Sequence, residues 1–323
     1  MARIGLFLGC LALLGCESTL TPVHPDVAIL SGPRLFTSAG YLHSERTAES
    51  FFDKYGDDYD FLVIFTADTT GIYERQGSSI PTYVSVFNDT EGIGLSRFRQ
   101  QVDGSDGRLQ GIVFMGSVYQ WVLGPTGPVT EKGAYVLGHE IAHRWGTCFS
   151  IKYQGQPKSA RILDLFGRHW TYSMDTDASP LGGYDWIDNG DGTFTASARW
   201  TGLYNGFDLY LMGLAAAREV EPMFLIDAIS VDDDTVDVGS TIEGTAVWIS
   251  IDSLIAAEGS RRPALDDPEI QNRFSAAFCL ASPERRDVRG DDVEAVESFR
   301  RMWGEHFSYL TGGRAEMDTQ LQH

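Results

Sequence analysis

Two histidines four residues apart, His139 and His143, enclose the run His139-Glu140-Ile141-Ala142-His143. Residues i and i+4 share one face of a helix, so both imidazoles can turn toward a single metal ion. Glu140 directly follows the first histidine. From there its carboxylate reaches a water beside that ion and can take its proton as a general base. The spacing H-E-x-x-H therefore asks for metal-assisted hydrolysis, with zinc as the cofactor. Glu140 is the catalytic candidate, and His139 and His143 are the metal candidates. Such chemistry needs a helix to hold the pair, a third ligand, a sheet behind the helix and a cleft in front of it.

The surrounding sequence supplies those elements. Residues 48–55 can form a short helix with Phe51 and Phe52 turned inward. Tyr59 to Thr66 is short, apolar and β-branched, as in a buried strand. Tyr83 to Phe87 and Leu109 to Met115 read as two more strands, followed by a Gly/Pro loop at 124–128. A helix then begins at a cap near Thr130 and can end at Gly146. Val136, Leu137, Ile141 and Ala142 form its apolar side. Residues 184–196 alternate around Asn189-Gly190 and Asp191-Gly192, a hairpin signal. The acids Asp185, Asp188 and Asp191 there, with Asn189, read as a turn more readily than as a calcium loop, since the closing Glu of an EF-hand is missing. Further on, 246–251 reads as a strand, 253–258 as a short helix and 274–280 as a strand. A long helix from Asp291 has Val293, Val296, Phe299, Trp303, Phe307 and Leu310 on one face.

Strands followed by a helix bearing H-E-x-x-H resemble the zincin metallopeptidases. The likeness covers the order of elements over residues 55–150 and the residues of 138–146. It implies an α+β fold in which a mixed sheet packs on the active-site helix, and a peptide or protein substrate. The third ligand separates the subfamilies. A metzincin would carry a histidine at 149, where this chain has Phe149. A gluzincin would place a glutamate in a later N-E-x-x-S-D run, which is missing; Glu219 is the nearest candidate by position. The block Gly206-Phe207-Asp208-Leu209-Tyr210-Leu211-Met212-Gly213 loosely resembles the aspzincin block G-T-x-D-x-x-Y-G. It departs at Phe207 and in the place of its tyrosine. That likeness makes Asp208 the favoured third ligand. An acid among so many apolar residues also needs a partner; capping of a helix that starts there is the other reading. His169, in His169-Trp170, is the rival, as a ligand, a transition-state partner or a packed histidine. Tyr204 and Tyr210 are candidate oxyanion donors. His169-Trp170 together with Asp208 to Leu214 also resembles a group of exported bacterial zincin-like proteins.

The formal net charge of −20 excludes nucleic acid as a natural partner, because phosphates would be repelled. At the N-terminus, Arg3 precedes an apolar run from Ile4 to Leu14. That run has about half the ~20 residues a bilayer span needs. Leu13-Leu14-Gly15-Cys16 resembles the lipobox of bacterial lipoproteins, which implies cleavage before Cys16, lipidation of Cys16 and a membrane partner reached through that anchor. Glu17 in place of Asp points to an outer-membrane or surface position in the cell envelope. The expected organisation is a signal peptide at 1–15, a tether at 16–27, a zincin-like catalytic domain at 28–230 and a C-terminal α+β segment at 231–323. Cys148 and Cys279 would remain, either disulfide-bonded or as separate thiols. The reading is a zinc-dependent metalloendopeptidase. The alternative is a non-catalytic surface lipoprotein that keeps a zincin-like fold for binding or scaffolding.

Overall fold

All six residues of Phe61–Thr66 are buried, as in a strand with packed layers on both faces. Phe61, Val63 and Phe65 face one apolar cluster, while Leu62 and Ile64 face another. The computed structural model describes residues 26–38, 41–66, 81–124, 127–146, 148–228 and 236–322. The signal peptide, Cys16, nearly all of the tether and the run Asp232-Asp233-Asp234 lie outside them. No helix among the described residues is long and apolar enough to cross a membrane.

In chain order the elements are β1 (Val27–Ser31), α1 (Ser44–Phe52), β2 (Phe61–Thr66), β3 (Thr82–Ser85), β4 (Phe87–Asn88), β5 (Phe98–Arg99), β6 (Gly111–Ser117) and α2 (Glu131–Ala142). Then come β7 (Ile151–Tyr153), β8 (Gln156–Ser159), β9 (Trp170–Asp175), β10 (Gly182–Asp188), β11 (Thr193–Ala198), α3 (Gly206–Met212) and β12 (Met223–Ala228). The last are β13 (Thr241–Ile249), α4 (Ile251–Glu258), β14 (Arg273–Ser282), α5 (Gly290–Leu310) and β15 (Glu316–Asp318).

The protein is a mixed α/β fold with two sheets of consequence. A six-stranded mixed sheet runs β1-β14-β2-β6-β3, with β15 added beside β14. Its core pairs are parallel, and β3 closes one edge antiparallel to β6. Strands β10, β11, β13, β12 and β9 close into a barrel around Tyr184, Trp186, Phe194 and Phe224. The boundary expected at 230/231 cuts through both sheets. Strand β14, from the C-terminal segment, lies between β1 and β2, and β13 completes the barrel.

Helix α2 starts where expected. The Thr130 hydroxyl accepts from Gly133 N at 3.0 Å, and Glu131 sits in the first turn, where a negative charge suits the helix dipole. Its two interior glycines cost helix propensity. A Cβ at Gly133 would meet Trp121 and Phe299 at 2.8–2.9 Å, and one at Gly138 would meet Leu310 at 2.6 Å. They are the means by which α2 lies close against α5. Helix α5 in turn buries Phe299, Trp303 and Phe307 completely, each worth roughly 1.5–3 kcal/mol in apolar transfer. Residues 143–146 form a turn after the helix, closed by a Gly146 N–H bond to Ala142 O. There Arg144 is 2% exposed and is held by Gln110 and Asn88 at 2.7 and 2.9 Å. The helix that carries His139 is therefore clamped at its C-terminal end by β4 and by the residue before β6.

Candidate metal centre

His139 lies in the last turn of α2 and His143 is its C-cap, still in helical conformation. Their Nε2 atoms are 3.1 Å apart. Two nitrogens bound tetrahedrally to one zinc at 2.0–2.1 Å would lie about 3.3 Å apart, so the pair is set at nearly that spacing. His169, immediately before β9, completes a group whose ligand atoms all lie within 4.8 Å of one another and could hold a metal ion. The ring centroids are 4.7 Å apart for His139–His143, 4.8 Å for His139–His169 and 5.2 Å for His143–His169.

Two of the rings are fastened from behind. His139 Nδ1 donates to Pro180 O at 2.7 Å, and His169 Nδ1 donates to Asp164 Oδ2 at 2.7 Å. Each bond fixes the tautomer that leaves Nε2 as the electron-pair donor. Asp164 holds the whole turn. Its other oxygen accepts from Phe166 N and Arg168 N, and its own N–H donates to His169 O. Burial and the neighbouring rings keep the helix pair uncharged. His139 is pushed down to about 4 by desolvation first and by His169 second. His143 is pushed well down, again by desolvation first, then by His139 and His169.

Glu140 is 5% exposed, and burial raises it to about 7, against a lowering bond from the backbone of Tyr83 in edge strand β3. A carboxylate poised there can both accept and return a proton near neutrality. A cavity of about 450 Å³ opens over it, lined by Thr82, Tyr83, His139, Glu140, His143 and His169, with Cys148 and Arg168 on its wall. A second cavity, of about 540 Å³, meets the first at His139 and His169.

Asp208 is not in the histidine group. It is the third residue of α3 and forms a capping box with Asn205, as the alternative reading expected. Its Oδ1 accepts from Trp170 Nε1 at 2.9 Å, and its Oδ2 from Ser179 Oγ at 2.6 Å and Asn205 N at 3.0 Å. With both oxygens so engaged, the third position of the histidine group falls to His169. Asp208 instead grips two segments that serve the site. Trp170 follows His169, and Ser179 precedes the Pro180 carbonyl that orients His139. Phe149, the residue at the metzincin histidine position, packs on Trp170 with centroids 5.3 Å apart.

The other candidates lie elsewhere. The Tyr204 hydroxyl donates to Gly138 O within α2, the Tyr210 hydroxyl accepts from Arg261 N, and neither tyrosine lines the two cavities beside the histidines. Glu219 pairs with Arg314 at 2.8 Å. Cys148 and Cys279 are both free thiols, one exposed and one buried in β14, so the disulfide does not form. The 189–192 turn is closed by its own Asp188, Asn189 and Asp191 bonds. Sequence reasoning missed Asp164, which lies five residues before His169 with Gly167 between them, a turn signal that could have revealed it.

Comparison with known proteins finds no matching family model, no similar curated protein and no similar solved structure.

Proposed function

We propose that this chain is a zinc-dependent peptide-bond hydrolase, a metalloendopeptidase of zincin-like arrangement. The observation that carries the proposal is the convergence of His139, His143 and His169 beside buried Glu140, at the floor of an open cleft. The donor set fits zinc: three imidazoles, two of them oriented by hydrogen bonds behind the ring. A bound zinc ion would lower the pKa of water and polarise the scissile carbonyl.

The chain's own residues do the rest. Glu140 takes the proton of the attacking water on its carboxylate and delivers it to the leaving amine. The Tyr83 amide holds that carboxylate toward the cleft. Arg168, on the cleft wall, places a positive charge near the reacting carbonyl. The non-catalytic alternative expects side chains to fill the space over the histidines; two cavities meeting there favour the hydrolase. Attachment to the cell envelope through lipid on Cys16 is part of the same proposal and rests on Leu13 to Cys16 alone.

The test pairs metal content with turnover on an unspecific protein substrate. Glu140→Gln should keep near-stoichiometric zinc and lose about 10²–10⁴-fold in cleavage rate. A wild-type chain that takes up no zinc, or a variant that cleaves as fast as wild type, would overturn the assignment.

A further inference from the structure

The second cavity holds an arginine that the hydrolytic chemistry does not use. Arg199 follows β11 and lines that cavity together with His139 and His169. Its guanidinium carbon lies 4.2 Å from the centroid of the Trp200 ring and 5.0 Å from that of Tyr184. Ring faces hold a guanidinium by its own face and leave the in-plane N–H donors for something else. Among the described residues no carboxylate pairs with it, and its Nε is buried without an acceptor. In a chain of net charge −20, a partly buried arginine with no carboxylate partner among the described residues needs a reason.

The backbone points the same way. Trp200 has φ 59, a left-handed conformation that a bulky L-residue adopts only when its surroundings impose it. In that conformation its ring stacks on Tyr135 at 5.7 Å with an interplanar angle of 19°. Tyr135 lies on α2 one turn before His139, and its hydroxyl donates to Ser179 O. The ladder Tyr135–Trp200–Arg199 thus sets the guanidinium at a fixed place relative to the helix that carries the metal candidates. The remaining wall is apolar: Leu163, Leu165, Phe166, Trp170 and Tyr172. Leu165 and Phe166 are 83% and 81% exposed. The one acid of the lining, Asp164, is occupied by His169 and two backbone amides.

We infer that Arg199 binds a carboxylate of the substrate, either a C-terminal carboxylate or an acidic side chain, while the apolar wall takes the hydrophobic group beside it. This rests on the hydrolase reading and deepens it by naming a substrate class: an acidic side chain suits an endopeptidase, whereas a C-terminal carboxylate would make the enzyme a carboxypeptidase.

Three probes test it by calorimetry on the full chain freed of metal, so that nothing is hydrolysed and no ion competes for the carboxylate. They are N-acetyl-leucylphenylalanine, its C-terminal amide, and N-acetyl-leucylglutamic acid α-amide. One of the two carboxylates should bind at least about tenfold more tightly than the neutral amide, as expected for a charge-assisted bidentate contact. Whichever wins identifies the source. Arg199→Met should erase the difference and leave amide affinity unchanged. Should that variant not fold, Arg199→Lys decides, because it keeps the charge but loses the fork and should lower the preference several-fold. Equal affinities in the wild type, a preference that survives Arg199→Met, or one that Arg199→Lys leaves undiminished, overturn the inference. Zinc uptake by the same protein is titrated separately. A chain without zinc but with the carboxylate preference would end the hydrolase reading and leave this one standing.

Discussion

Two polar constellations touch the same segments, at His169-Trp170 and Ser179-Pro180, and differ in what their polar atoms face. Around Asp208 every carboxylate bond is internal: the Trp170 indole, the Ser179 hydroxyl and the Asn205 amide close on it, and nothing is directed at a cavity. Around His139, His143 and His169 two of the rings are fastened at the back, and all three line a cleft. A buried acid with saturated oxygens is a tie. Imidazoles whose ligand atoms converge on a cleft could hold a metal ion. The two are linked, since the tie holds the segments that deliver His169 and Pro180.

The contrast can be broken by substitution. The largest effect is expected from His169→Ala. If the binding energy of a zinc site, of order 10–16 kcal/mol, is shared among four ligands, losing one should weaken zinc by hundreds- to a thousandfold with little change in apo stability. A competitive chelator titration reads this directly, and unchanged affinity would return the third position to another residue. Asp208→Ala should do the reverse. It strands three buried donors and should cost roughly 3–5 kcal/mol in denaturant unfolding of the metal-free chain. A neutral outcome would mean that the network is not a tie.

A pH experiment sharpens the same contrast. Burial raises Glu140 from 4.5 to about 7 in the metal-free protein, so the fold favours its protonated form. Its contribution is fully present below the unfolded value near 4.5 and is lost as pH rises through about 7. Metal-free wild type should therefore lose stability relative to Glu140→Gln across that window, by on the order of a few kcal/mol. Parallel stability curves for the two proteins would refute the raised value. The smallest effect is expected from Asp164→Asn. It keeps a hydrogen-bonding shape behind His169 but removes the charge, and zinc affinity should fall about 10–100-fold. No fall would show that His169 needs no orienting carboxylate.

Legibility followed sequence distance. The helix, its Thr130 cap and the convergence of His139 with His143 are local consequences of i, i+4 geometry, and the buried strand Phe61–Thr66 announces itself by composition. Asp208, an acid among apolar residues, does have partners. The partners themselves are the indole of Trp170 and the hydroxyl of Ser179, 38 and 29 residues away, and no periodicity encodes them. The barrel was invisible for a related reason. Its closure rests on β12 meeting β9 at Leu225–Met174, a pairing made between distant segments. The insertion of β14 between β1 and β2 is of the same kind.

The chain's linear order therefore determines the pieces: an H-E-x-x-H helix with its glutamate, and strands rich enough in apolar residues to be buried. Only the tertiary structure decides which side chain stands third beside the two histidines, because that choice depends on where Asp164, Ser179 and Asp208 meet the helix after the sheets have closed. Spacing along a helix is set by covalent geometry, whereas convergence from separate loops is set by packing.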